Sequence, residues 1–102
     1  MDCFWMKGFF QRLRGLLGTL PGQTTGSVLV FEYTHSLHTL GMRYPIDVAF
    51  LDGEGRVVMS ERAVQPGRVR FCWQGSTAVE REVSSSPWFI LGDAPRFVCG
   101  TQ

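Results

Sequence analysis

The chain has 102 residues, the length of one ordinary domain. Hydrophobic residues make up 44% and charged residues 19%, a balance that excludes a disordered, collagenous or coiled-coil chain. Ten Lys and Arg against nine Asp and Glu leave a formal charge of +1, so there is no broad electrostatic attraction for nucleic acid or an acidic membrane.

At the N-terminus, Lys7, Gln11, Arg12 and Arg14 interrupt the apolar pairs around Phe4-Trp5 and Phe9-Phe10. They leave neither a signal-peptide core nor an apolar run of the ~18 residues that span a bilayer, and the expectation is a soluble, cytoplasmic protein. Met6, Phe9, Phe10, Leu13, Leu16, Leu17 and Leu20 recur at helical spacing. The pattern predicts one short helix within 6–18, weakened by Gly8 and Gly15, stopped near Gly18 and Pro21-Gly22, and laid over one side of a sheet.

Twelve glycines and five prolines in so short a chain call for many turns and a β-rich fold. Residues 28–33 are β-branched and aromatic and read as a buried strand. Residues 34–44 break every regular pattern and hold both histidines, His35 and His38. Over 46–51 a strand turns Ile46, Val48 and Phe50 one way and Asp47, Ala49 and Leu51 the other. Asp52-Gly53-Glu54-Gly55 is a hairpin turn, and 56–60 returns as its partner strand. After a turn at Pro66-Gly67, Val69, Phe71 and Trp73 alternate with Arg70 and Cys72 in a half-buried strand. Further strands are expected over 77–83 and 96–99, with a short apolar run at 88–91. Cys3, Cys72 and Cys99 are too few and too far apart for a disulfide framework or a zinc knuckle. Cys72 and Cys99, both in apolar settings, read as reduced, small core residues, with a Cys72–Cys99 bridge left open. Everything points to a single domain over 1–102.

The run from His38 through Thr39, Met42, Arg43, Pro45, Ile46, Asp47 and Val48 to Phe50-Leu51-Asp52 resembles the central motif of the domain-of-unknown-function family 192. Arg14-Gly15-Leu16-Leu17-Gly18 upstream, and Pro66-Gly67-Arg68, Ala78-Val79-Glu80 and Gly92-Asp93 downstream, are similar to that family's shorter landmarks, so the likeness covers about 12–95. Two positions depart from it: Leu40 stands where an aromatic is usual, and Glu80-Arg81-Glu82-Val83 lacks a following glycine. The resemblance implies a mainly β fold, a small antiparallel sheet like an open barrel with one short helix. It implies no established activity.

His38, Thr39, Met42, Arg43 and Asp47 are the candidate site residues. In one reading they form a structural latch, with Arg43 or the backbone amides of the 40–42 turn satisfying a partly buried Asp47. In a second they line a binding site, Arg43 pairing with a small anionic ligand and His38 hydrogen-bonding to it. A third makes the protein a hydrolase-like enzyme with His38 as base, Asp47 as orienting carboxylate and Cys72 as nucleophile, but no catalytic motif supports it. The set His35, His38 and Met42 would suit copper, yet an extended segment sends the two histidines to opposite sides and no fourth ligand is apparent. No metal or cofactor is therefore expected. Three tryptophans and eight phenylalanines exceed what so small a core hides, which suggests a dimer face or a protein partner at Phe4-Trp5 or Trp88-Phe89. A binding or accessory role stands ahead of catalysis.

Overall fold

The computed structural model describes residues 2–5, 27–96 and 100–101, with side chains over 28–96. The helix expected within 6–18, Cys99 and most of the strand expected over 96–99 lie outside the described residues. Eight strands are described: β1 (Asp2–Trp5), β2 (Ser27–Glu32), β3 (Ser36–His38), β4 (Ile46–Leu51), β5 (Val57–Val64), β6 (Val69–Phe71), β7 (Thr77–Glu82) and β8 (Gly100–Thr101). Six form one sheet in the order β5-β4-β7-β2-β1-β8, and β3 pairs with β6 in a second. The fold is mainly β and mostly antiparallel, as expected; only β1 runs parallel to its neighbours β2 and β8. Among the described residues there is no helix, and β5 and β8 do not pair to close the sheet.

Every side chain of β4 is buried, because the strand lies between β5 and β7 with both faces covered. Ile46, Val48 and Phe50 meet Leu29, Phe31 and Ala78 on one face. Leu37, Met42 and Tyr44 from the histidine-bearing segment cover that side. Ala49 and Leu51 meet Val28, Val30, Val57 and Val79 on the other, under Trp88. One sheet thus carries two separate cores.

The turn into β5 forms where Asp52, Gly53 and Gly55 demand it. The Asp52 carboxylate accepts from the amides of Glu54 and Arg56 at 2.9 and 3.0 Å, and Gly55 takes the left-handed φ of 83°. β5 then runs on to Val64, past the expected end at Ser60. Its polar continuation is accommodated by a bulge: between the pairs Val48–Glu61 and Ile46–Val64, Arg62 and Ala63 oppose the single residue Asp47. Ala63 adopts a φ of 54° there, and Val64 returns to the core. In the apolar run 88–91, Trp88 is not an open contact face but plugs the second core, its indole N–H donating to the Val48 carbonyl at 2.9 Å.

Gly75 sits where the chain turns under the first core. A Cβ there would lie 3.0 Å from Cδ1 of Phe50 and 3.2 Å from the Cys72 carbonyl, and neither neighbour can retreat. Gly75→Ala should lower unfolding stability by about 1–3 kcal/mol, read as a shifted urea midpoint with an unchanged slope.

Candidate functional site

The irregular stretch after β2 is held by one side chain, Thr39, which is fully enclosed. Its hydroxyl donates to the Gln65 carbonyl at 2.7 Å and accepts from the Arg68 amide at 2.8 Å. Its backbone N–H donates to the Arg68 carbonyl, and its carbonyl accepts from the amides of Gly67 and Met42. The Pro66-Gly67 turn therefore wraps around Thr39, and β3 is locked in register against β6. Leu37, Met42 and Tyr44 point into the first core. His38, Leu40 and Arg43 are left on the outside, on a segment whose backbone is fixed.

Asp47 takes no part in this. The alternation that sends Ile46 and Val48 toward the histidine-bearing segment sends Asp47 to the opposite face, where it is completely buried. Its partner is Arg81, its cross-strand neighbour on β7, and not Arg43 or the 40–42 amides as the sequence suggested. Arg81 Nε donates to Oδ2 of Asp47 at 2.9 Å. The bulge amide of Ala63 donates to Oδ1 at 2.9 Å, and Arg62 Nε lies 4.0 Å from that oxygen. The other guanidinium nitrogens of Arg81 donate to the carbonyls of Pro87 and Ser86 at 3.1 and 2.7 Å, and its charge rests over the Trp88 ring, 4.6 Å from the centroid. The arrangement fastens the chain after β7 to the sheet. His38 and Asp47 are not brought together, so they do not form a base–carboxylate pair.

Of the five candidates, the structure gathers Thr39, Met42, His38 and Arg43 on one side of the sheet and isolates Asp47 on the other. It adds Arg81 and Trp88, which the sequence reading missed. The signal for Arg81 was a single cation bounded by Glu80 and Glu82 in an apolar strand register with Asp47, but nothing local ties residues so far apart. Cys72, a free thiol half-buried against the first core, stands as the small apolar residue expected. Among the described residues no cluster of three His, Cys, Asp or Glu side chains could hold a metal ion, and no helix is long and apolar enough to cross a membrane.

Two further carboxylates face the first core. Glu61 accepts a bidentate fork from Arg70 at 2.8 and 2.9 Å, and this hydrogen-bonded arginine holds its carboxyl below the ordinary range. Glu80, by contrast, lies between Leu29 and Val48 in the sheet register and is only 9% exposed. Burial pushes its carboxyl up to about 7. On the Asp47 side an open groove of about 570 Å³ is lined by Ser60, Arg62, Trp88, Phe89 and Leu91. Its Ser60 and Arg62 side chains are already engaged, Ser60 Oγ donating to the Phe89 carbonyl and Arg62 to that of Ser84.

A model of the domain-of-unknown-function family 192 (DUF192), described as an uncharacterized ACR, matches residues 2–83. No curated protein gives a significant match. Among solved structures, a protein of unknown function from Novosphingobium aromaticivorans DSM 12444 superposes with a TM-score of 0.64 at 12% identity, over 76% of this chain and 60% of that one. At that identity the likeness is one of fold, and this chain spans about 60% of that protein's length.

Two measurements test the assignments. Asp47→Asn removes one partner of a buried ion pair and should cost about 3–5 kcal/mol, whereas Arg43→Ala, at an exposed position, should stay within about 0.5 kcal/mol of the parent; equal losses in chemical denaturation would return Arg43 to the latch. Glu80 binds its proton more tightly folded than unfolded, where a carboxyl titrates near 4.3. Its contribution is therefore unfavourable above pH 7, shrinks as pH falls through that window and vanishes below the unfolded value. Glu80→Gln should gain up to about 3 kcal/mol over the parent at pH 8 and nothing at pH 4, as read from denaturation curves across that range.

Proposed function

This chain belongs to the domain-of-unknown-function family 192, and we propose that it is a binding or accessory module presenting an anion-recognising site on its histidine-bearing segment. The observation that carries this reading is the enclosure of Thr39 by the 65–68 turn. It fixes a non-regular backbone while leaving His38 and Arg43 exposed, which is how binding residues are commonly mounted on a rigid scaffold. Arg43 supplies a fork that matches carboxylate or phosphate, and His38 a further hydrogen bond to it. Thr39 and Met42 are positioning residues, the first through its hydrogen bonds and the second through the core. Asp47 contributes only by holding the sheet that carries them. The ligand class is a small anion, or an anionic group on a protein partner.

The hydrolase-like alternative loses its geometric basis, because the sheet stands between His38 and Asp47. Parallel pairing of β1 with β2 supports the finer fold reading, an open-barrel-like domain with one short helix within 6–18, since such a pair needs a connection of a dozen or more residues, usually helical. The free thiol at Cys72 accords with a reducing, cytoplasmic setting.

The test is an NMR titration of the protein with inorganic phosphate and, separately, with succinate. Saturable shifts of the His38 and Arg43 resonances are expected with at least one anion, with affinity lowered about tenfold in Arg43→Ala. Shifts that never saturate, or that survive Arg43→Ala unchanged, would remove the proposal.

A further inference from the structure

β6 carries its polarity inside out. Val69, Phe71 and the following Trp73 are 61, 51 and 84% exposed. Arg70, between them, turns inward to Glu61, and Cys72 packs against the core. Phe71 and Trp73 meet edge to face, ring centroids 4.8 Å apart. The same outer face continues across the small sheet, where Ser36 lies opposite Phe71 and His38 opposite Val69. An apolar face of this kind on a strand is unusual unless something covers it.

The backbone of β6 is also open. The Thr39 amide donates to the Arg68 carbonyl and the Cys72 amide to that of His35, so 39/68 and 35/72 are bonded pairs of the antiparallel ladder. Pairs 38/69 and 36/71 then fall between bonded ones, and their amides and carbonyls point away from the partner strand. The Val69 carbonyl accepts from Arg70 Nη1 at 3.0 Å. No strand pairs with β6 on its outer side among the described residues. At the start of this strip stands Arg68, exposed and without an ion pair among the described residues.

We propose that β6 is a docking strand for an extended peptide segment of a partner protein. The segment adds as a third strand to the β3–β6 sheet, sets alternate apolar side chains beside Val69, Phe71 and Trp73, and places an acidic residue against Arg68. Strand addition uses the open amides for affinity and the alternating side chains for selection. A membrane surface would use the apolar face but leave those amides unmatched. A second copy of this chain laid edge to edge brings no counter-charge, because residues 66–73 contain two arginines and no acid. The inference goes beyond the anion site and does not depend on it, for it uses neither Arg43 nor the His38 ring.

The experiment is selection of a displayed library of random peptides about nine residues long on the whole protein, with counter-selection on Arg68→Glu and on the double variant Phe71→Thr, Trp73→Thr. These positions are exposed and the threonines are compatible with a strand, so both variants should melt as the parent does. Enriched peptides should alternate apolar residues and carry Asp or Glu at one end. Once synthesised, they should bind each variant about tenfold more weakly, lose binding when alternate amides are N-methylated, and slow hydrogen exchange at the Val69 and Phe71 amides. No enrichment over the variants, or binding that tolerates N-methylation, overturns the proposal. So does assignment of the face elsewhere: sedimentation with phosphatidylglycerol vesicles, or a dimer, that Phe71→Thr, Trp73→Thr abolishes.

Discussion

A strand turns successive side chains to opposite faces, and β4 is buried on both. That constraint divides the molecule. Whatever packs with Ile46, Val48 and Phe50 belongs to the histidine-bearing side, and whatever packs with Asp47, Ala49 and Leu51 belongs to the side of Trp88. A register slip of one residue would exchange the two sets. It would set Asp47 among Leu37, Met42 and Tyr44, which offer an ionised carboxylate nothing, and strand Arg81 without its partner. The bulge at Arg62 and Ala63 guards against such a slip, because the Ala63 amide is aimed at Asp47 only in the observed register.

The buried pair is therefore better understood as a specifier than as a source of net stability. Removing two charges from water is expensive, and apolar residues of like volume often serve as well. What Asp47 and Arg81 add is direction. Each polar atom of Arg81 is matched, to a carboxylate on β4 or to the carbonyls of Ser86 and Pro87, so a segment without regular structure acquires one place to lie. Trp88 follows from it, with its ring under the guanidinium and its N–H on the Val48 carbonyl. Thr39 does the corresponding work on the other face with an uncharged group. Its hydroxyl and backbone clasp the Pro66-Gly67 turn, at a lower desolvation cost than any ion pair would carry.

The sequence disclosed those features whose cause is local. The 46–51 strand, its two faces and the Asp52–Gly55 turn all depend on residues within a few positions of one another, and so does the family resemblance. The partner of Asp47 was not legible, since Arg81 lies 34 residues away and the nearer Arg43 offered itself. β5 was cut short because Ser60, Glu61 and Arg62 read as its end, when a bulge lets a polar stretch continue at a sheet edge. Trp88-Phe89 looked like a short apolar run open to a partner, because indole burial under an arginine leaves no periodic trace. The strand β1 was not anticipated, since the parallel partner of such a short segment is set by chain reversal over a long connection. In the candidate site, the chemistry of His38 and Arg43 could be named from the sequence. Their separation from Asp47 required knowing which strand face the 34–44 segment covers.

The three core carboxylates show how neighbouring acids in one sheet come to differ. Asp47 is buried and paired, Glu61 is half-exposed and forked by Arg70, and Glu80 is buried between aliphatic neighbours, where burial raises its carboxyl. The choice made at Glu61 has a consequence at the surface. Arg70 reaches it only by turning inward beside Leu37, and strict alternation then obliges Val69 and Phe71 to face out. A lysine or serine at either position would have hidden that consequence at no cost to the ion pair. The sequence instead places an aliphatic and an aromatic residue there and continues with Trp73, so the exposed face is not an accident of folding. Inward Arg70 specifies the register of the small sheet, and its outer residues remain free for recognition.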